Sequence, residues 1–335
     1  MMMNTSKSQF KINSGTVIKG KWHNKQYTII KELGYGANGT VFLADSRIGK
    51  VALKLSNNSV SITSEVNVLK SFAKVQGYSL GPSLIDVDDW VTNKGTISFY
   101  VMEYINGPDL LTFIQHKEGS WVDVLMIQLL KDLQNLHENN WIFGDLKPEN
   151  LIITGPPTKI RCIDVGGTTI TGRAIKEFTE FFDRGYWGLG TRKAEPSYDL
   201  FAVAMIMLNL YYPKRFNKTV GGLKQLQTMI RQKQGLVRYE GILQKALTGK
   251  YQSAKEMRLD FLKLTSGDST KPNRSTVTAG ANRNSSRQVR GQTTQSTKTR
   301  SNMAKKKKKA GWVESFLIII LISICYILYI YGQLT

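Results

Sequence analysis

Phe143-Gly144-Asp145-Leu146-Lys147-Pro148-Glu149-Asn150-Leu151-Ile152-Ile153 is followed, after a Gly-Pro-Pro turn, by Lys159-Ile160-Arg161-Cys162-Ile163-Asp164-Val165-Gly166. An acid, a lysine two residues on and an amide five residues on share one short loop, and a second acid closes the next strand-like run. Residues of these types at this spacing supply a base, a phosphate contact and two oxygen ligands for a hard cation such as Mg²⁺. Three histidines and two cysteines leave little for a zinc site, so oxygen ligands are the expectation for any metal.

Working back towards the N-terminus, Leu33-Gly34-Tyr35-Gly36-Ala37-Asn38-Gly39-Thr40-Val41 is a glycine-rich run between two strand-like stretches. Gly34, Gly36 and Gly39 let a strand-turn-strand close over phosphates without a Cβ in the way. A dinucleotide-binding turn would lead into a helix, whereas Thr40-Val41-Phe42-Leu43-Ala44 reads as a strand. Thirteen residues after Val41 comes Lys54, in the strand-like Val51-Ala52-Leu53-Lys54. Glu65 is the only acid in residues 55–85, and Ile62, Val66, Leu69 and Phe72 around it have helical spacing. A helix with that apolar stripe turned inward can aim Glu65 at Lys54.

Taken in order, these motifs resemble the protein kinase superfamily, in particular the eukaryotic-like Ser/Thr kinases of spore-forming bacteria, over about residues 27–265. The resemblance implies a bilobal α+β fold with a β-rich N-lobe and a helical C-lobe, with ATP and Mg²⁺ (or Mn²⁺) as cofactors. It implies that Gly34, Gly36, Gly39 and Val41 cover ATP, that Lys54 holds its phosphates, and that Glu65 orients the lysine. Met102 would be the gatekeeper, with the backbone from Glu103 to Ile105 taking the adenine. Asp145 would receive the substrate hydroxyl proton, Lys147 would contact the γ-phosphate, and Asn150 and Asp164 would hold the metal. Asp199 matches the helix acid that ties down the catalytic loop. The wording of the loop around Asp145 resembles Ser/Thr rather than Tyr kinases, so protein Ser/Thr hydroxyls are the implied substrates, the kinase's own chain included.

Three departures from the family pattern carry information. Phe143-Gly144 replaces the usual His-Arg before the catalytic acid, so no arginine beside Asp145 awaits a phosphate, and activation without phosphorylation is expected. Asp164-Val165-Gly166 keeps the metal ligand and changes only an apolar neighbour. The Ala-Pro-Glu motif is replaced at about Arg184-Gly185-Tyr186, and its partner arginine is missing from Thr248-Gly249-Lys250-Tyr251. Losing both members of a buried pair can be nearly neutral, whereas losing one strands a charge. Thr168, Thr169, Thr171 and Thr179 are placed as autophosphorylation sites, and replacing all four with Ala is expected to leave substantial activity. His137, after a helical run, reads as a hydrogen-bonded core residue, and Cys162 as an inert one.

The 335 residues carry a formal net charge of +21, and residues 266–311 hold twelve Lys/Arg against one acid. Residues 1–23 have no apolar signal-peptide core and read as a cytoplasmic tail, with the kinase domain from 24 to 265. Strand-like runs precede helical ones, as in an α+β arrangement. Residues 266–303 lack aromatics, Leu and Ile, which predicts a disordered basic linker extending to 311. The run 316–331 is apolar apart from Ser323 and tyrosine hydroxyls and extends to 312–332 with Glu314 at the head groups; these 21 residues span about 31 Å as a helix, which predicts a single transmembrane helix with residues 333–335 outside and the kinase in the cytoplasm. Lys305, Lys306, Lys307, Lys308 and Lys309 suit topology and anionic lipid, Arg274, Arg283, Arg287, Arg290 and Arg300 suit a polyphosphate partner, and all ten are placed as nucleic-acid contacts. The expected partners are therefore protein substrates, the membrane, DNA bound without sequence preference, and further copies of the kinase. Two rival readings are a membrane-anchored DNA-binding pseudokinase, disfavoured by the intact Lys54, Asp145, Asn150 and Asp164, and a small-molecule phosphotransferase, disfavoured by the glycine-rich run and Lys147.

Overall fold

The computed structural model describes residues 10–36, 38–73, 80–117 and 120–267. The chain divides into two units, Met1–Pro272 and Asn273–Thr335, and every described residue belongs to the first. The basic residues expected to bind DNA, the linker beyond Gly267 and the expected span over residues 312–332 lie outside the described residues. Among the described residues, no helix is long and apolar enough to cross a membrane.

Strands β1 (Val17–Lys19), β2 (Gln26–Gly36), β3 (Gly39–Ser46), β4 (Gly49–Ser56), β5 (Leu84–Thr92) and β6 (Gly95–Glu103) form one antiparallel sheet in the order β1-β2-β3-β4-β6-β5. Side chains alternate between faces with period two. Val51, Leu53 and Leu55 of β4 therefore enter one apolar core with Ile29, Phe42 and Phe99, while Ala52 joins the other with Tyr100 and Met102. Lys54 lies on the Ala52 face, where helix α1 (Ser59–Ala73) packs. Asn58 starts that helix by accepting hydrogen bonds from the Val60 and Ser61 N–H groups at 3.1 and 3.2 Å.

The stretch 1–23 expected as a tail is part of this lobe from at least Phe10. Ile18 is fully buried and pairs with Tyr27, and Phe10 is buried in the same core. Strand β5 escapes a hydrophobicity reading because it carries Asp86 and Asp88 at buried positions. Both acids are saturated. Asp88 accepts from the Trp22 and His23 N–H groups at 2.9 and 2.8 Å, and Asp86 accepts from Tyr27 Oη at 2.6 Å and pairs with His23 Nδ1 at 2.7 Å. The Lys25 ammonium stands 3.4 Å from Asp86, so this cluster clamps the turn between β1 and β2 rather than offering itself to a cation.

The second lobe is helical: α2 (Leu110–Gln115), α3 (Ser120–Glu138), α4 (Arg184–Trp187), α5 (Pro196–Tyr211), α6 (Leu223–Gln232), α7 (Gln234–Val237), α8 (Glu240–Leu247) and α9 (Ala254–Thr265). Helix α5 is buried at every position from Tyr198 to Asn209, which makes it the centre of the lobe. Two small antiparallel pairs, β7 (Trp141–Ile142) with β10 (Thr169–Ile170) and β8 (Leu151–Thr154) with β9 (Lys159–Cys162), bracket the loop that carries Asp145. The loop from Phe143 to Asn150 runs between β7 and β8, and Asp164 follows β9. The bilobal α+β expectation is borne out.

Candidate active site

The glycine-rich run is a β-hairpin closed by the pairing of Gly36 with Gly39, so the strand-turn-strand reading holds. Gly39 has φ +135°, and a Cβ there would sit 2.2 Å from the Leu55 carbonyl oxygen of the neighbouring strand; only glycine fits. Register places Val41 opposite Lys54, and Lys54 opposite Tyr100 of β6. Lys54 Nζ lies 2.6 Å from Glu65 Oε2, with both side chains nearly buried. Tyr100 Oη donates to the same carboxylate oxygen at 2.8 Å, and Ser61 Oγ donates to Oε1 at 3.1 Å. Burial pushes the Tyr100 hydroxyl well above its ordinary range, with the Glu65 charge adding to it, so it stays a donor.

On the opposite wall, Asp199 at the start of α5 is fully buried and presets the catalytic loop. It accepts hydrogen bonds from Phe143 N at 2.8 Å and Gly144 N at 2.9 Å, and His137 Nε2 lies 2.9 Å away. His137 is thus the hydrogen-bonded core residue expected. Gly144 has φ +87°, and a Cβ at that position would approach the Gly167 carbonyl oxygen to 2.6 Å. The arginine missing here could not be accommodated by this backbone. Asp145 then projects with both oxygens engaged: Lys147 Nζ stands 2.5 Å from Oδ2, and Thr179 Oγ1 donates to Oδ1 at 3.0 Å. Val165 is buried in the same core as Leu69, Phe72 and Phe143, which leaves Asp164 facing the cleft.

Gly34, Gly36, Gly39, Val41, Lys54, Met102, Glu103, Ile105, Asp145, Lys147, Asn150 and Asp164 all line a single cleft of about 550 Å³. That volume suits a nucleotide-sized ligand. Glu65 stands behind the cleft wall and acts on it through Lys54; it is a positioning residue. The Arg161 guanidinium forks onto Glu103 at 3.0 and 2.9 Å and holds that carboxyl below its usual range. Among the described residues, the Ile105 N–H has no hydrogen-bond partner, a free donor suited to an adenine acceptor. Asn150 uses its amide nitrogen on the Asp145 carbonyl at 3.5 Å and Asp164 Oδ1 accepts from Gly166 N at 3.0 Å. The Asn150 amide oxygen and the second Asp164 oxygen remain as hard donors, so the residues fit Mg²⁺.

Three features were not foreseen. Glu177 lines the cleft and accepts a hydrogen bond from Asn38 of the glycine hairpin. Burial and then the Asp164 charge push its carboxyl upward, against the pull of Lys54. Thr179, placed as a phosphorylation site, is bonded to Asp145, and Thr168 and Thr169 are buried, which leaves Thr171 as the exposed one of the four. The expectation that all four tolerate Ala is therefore withdrawn for Thr179, which bonds the catalytic acid. Finally, Arg184 is no remnant of a lost pair. It is buried and reaches Thr191 O at 2.6 Å, Ser197 Oγ at 2.7 Å and Glu195 Oε1 at 2.7 Å, while Asp183 takes Arg192 at 2.7 Å. These two crossed ion pairs pin the segment that carries Thr179. Cys162 is buried and its thiol pushed up by burial, as an inert residue would be.

A family model described as the protein kinase domain matches residues 27–283. The chain belongs to the protein kinase family. Over 323 residues this kinase is 52% identical to the serine/threonine-protein kinase YabT of Bacillus subtilis (strain 168), with 95% of each chain covered. It is 32% identical over 152 residues to the serine/threonine-protein kinase cds1 of Schizosaccharomyces pombe, covering 40% of this chain and 31% of that one. The solved kinase domain of Mycobacterium tuberculosis PknI shares the fold, with a TM-score of 0.54 at 18% identity over 76% of this chain and 99% of that one. This kinase is accordingly a protein serine/threonine kinase that uses ATP and a divalent cation.

Proposed function

We propose that the protein is a membrane-tethered Ser/Thr kinase whose catalytic domain faces the cytoplasm, that it works with Mg²⁺, and that it phosphorylates itself as well as other proteins. The observation that carries the catalytic part is the Lys54–Glu65 pair at 2.6 Å facing, across one cleft, an Asp145 held by Lys147 and Thr179. Lys54 grips the nucleotide phosphates, and Tyr100 and Ser61 hold Glu65 so that Lys54 stays extended. Asp145 accepts the hydrogen bond of the incoming Ser or Thr hydroxyl and takes its proton as the oxygen bonds the γ-phosphorus and the bond to the ADP oxygen breaks. Lys147 balances the charge on the transferring group. Asn150 and Asp164 would hold Mg²⁺, which when bound neutralises charge developing on the β- and γ-phosphate oxygens. The glycine hairpin excludes water from above.

The tether is read from the apolar run 316–331, within the 21 residues 312–332, next to Lys305–Lys309. For residues 266–311, twelve cations against one acid support DNA as a scaffold that gathers several kinases and speeds phosphorylation between them. Titrating duplex DNA into full-length kinase tests this. Autophosphorylation should rise, pass through a maximum and fall, and the effect should vanish when the five arginines and five lysines named above become Gln. A monotonic rise, or stimulation that survives those substitutions, would remove DNA from the account.

A further inference from the structure

Residues 200–239 contain seven Lys/Arg and no Asp or Glu: Lys214, Arg215, Lys218, Lys224, Arg231, Lys233 and Arg238. All seven are exposed. The near end of this segment meets the catalytic loop. Arg215 forms an ion pair with Glu149 of the catalytic loop and lies over Phe182, with 4.7 Å from its guanidinium carbon to the ring centroid. Lys218 Nζ donates to the Tyr186 carbonyl at 2.5 Å and stands over its ring. On the other side of Thr179, the Arg192 guanidinium lies 4.0 Å over Phe178.

A substrate hydroxyl bonded to Asp145 puts its neighbours along these walls, because an extended chain advances about 3.3 Å per residue, so positions two to four away lie roughly 7–13 Å out. The acid on the loop that could attract a basic substrate, Glu149, is already taken by Arg215. Among the described residues, Lys214 and Lys224 have no acidic partner, and Lys218 is held only by a carbonyl and a ring. Their charges remain unneutralised. Acids on the Thr179 segment do not cancel them: Glu177 is turned into the nucleotide cleft, Glu195 is bound by Arg184 and Asp183 by Arg192, which leaves Glu180, and Lys176 and Lys193 are exposed on the same segment.

We propose that this kinase selects Ser/Thr sites flanked by acidic residues, with Lys214, Lys218 and Lys224 forming the docking surface and Arg215 silencing Glu149. This rests on the protein-kinase reading above and adds the substrate class to it. Attraction between exposed charges is screened by salt, so the selectivity should weaken at high ionic strength.

The test compares full-length enzyme on three serine peptides whose flanks are acidic, neutral or basic, at low and high salt. The acidic peptide should lead the basic one in kcat/KM by about tenfold at low salt, mostly through KM, and the lead should shrink at 0.5 M salt. Changing Lys214, Lys218 and Lys224 together to Gln should erase most of that lead, leaving the neutral peptide within twofold and the melting temperature unchanged. Arg215→Gln should raise activity on the basic peptide several-fold by unmasking Glu149, a gain that a merely structural role would not produce. A basic or neutral preference in the wild-type enzyme overturns the proposal. So does an acidic preference that survives the triple substitution, or a triple variant that loses only binding to DNA or anionic vesicles. Failure to phosphorylate any of the three peptides, with ATP bound, would instead count against the protein-kinase reading itself.

Discussion

Replacing Gly144 with Ala probes how the catalytic acid is aimed. The residue sits at φ +87°, its N–H donates to Asp199, and an added Cβ would lie 2.6 Å from the Gly167 carbonyl oxygen. Holding a non-glycine residue in such a region costs about 1–3 kcal/mol before the clash is counted. The clash cannot be relieved by a flexible side chain, since the obstacle is backbone, so the loop or the segment after Asp164 must shift. A total of about 2–4 kcal/mol converts, at 2–4 °C per kcal/mol for a domain of this size, to a melting temperature roughly 4–16 °C lower. If the strain is released by moving Asp145 by about 1 Å, the rate falls by up to about 10². Thermal unfolding and steady-state kinetics on the same preparation read both. A Gly144→Ala enzyme that keeps kcat within twofold and melts within 1 °C of the wild type would show that neither the φ nor the close approach constrains the loop. Gly144→Arg, which restores the family's residue, should be at least as damaging rather than creating dependence on a phosphorylated loop.

Asp132 on α3 is nearly buried, and burial raises its carboxyl to about 6 against the pull of Lys131, Arg161 and Lys159. A carboxyl raised above its unfolded value favours folding when protonated, so its stabilising contribution is full below about pH 4 and is lost as pH rises through 6. Asp132→Asn should therefore gain stability on the wild type between pH 4 and 7, by about 1–3 kcal/mol at the upper end in urea unfolding; a gain that is constant with pH would contradict this. Arg184→Met leaves two backbone carbonyls and the part-exposed Glu195 without their donor and should cost about 1–3 kcal/mol, read as a lower urea midpoint, where an unchanged midpoint would mean the crossed pairs are incidental. Tyr100→Phe removes a hydrogen bond to the charged Glu65, worth about 1.5–3 kcal/mol, and should lower kcat/KM roughly ten- to a hundredfold without changing peptide KM; an unchanged kcat/KM would mean Lys54 needs no such support.

What the sequence made legible was local in the chain or governed by a period. Asp145, Lys147 and Asn150 share one loop, so spacing alone brings them together. Lys54 falls on the cleft face because β4 alternates, and Glu65 could be assigned because no other acid competes with it in residues 55–85. The features that escaped depend on contacts between distant segments. Asp86 and Asp88 look like surface charges until the backbone N–H groups of residues 22 and 23 are seen to reach Asp88, and the Tyr27 hydroxyl and His23 ring to reach Asp86, 59–66 residues away. Tyr100 and Lys54 meet only through strand register. Thr179 looks like any loop threonine, and nothing before the fold shows that it bonds Asp145. Arg184 falls where the Ala-Pro-Glu motif is missing, and motif comparison reports only what is absent. The replacement, two crossed ion pairs, uses residues of opposite sign at other positions.

The central claim, that Lys54, Asp145, Asn150 and Asp164 form one phosphoryl-transfer centre, is tested most directly by transfer of labelled γ-phosphate from ATP to protein. Full-length wild-type enzyme should yield phosphoserine or phosphothreonine only with a divalent cation present. Asp164→Asn should cut that transfer by at least about a hundredfold and abolish the cation dependence of ATP binding while the protein stays folded. Robust protein phosphorylation by Asp164→Asn or Lys54→Ala enzyme would contradict the account.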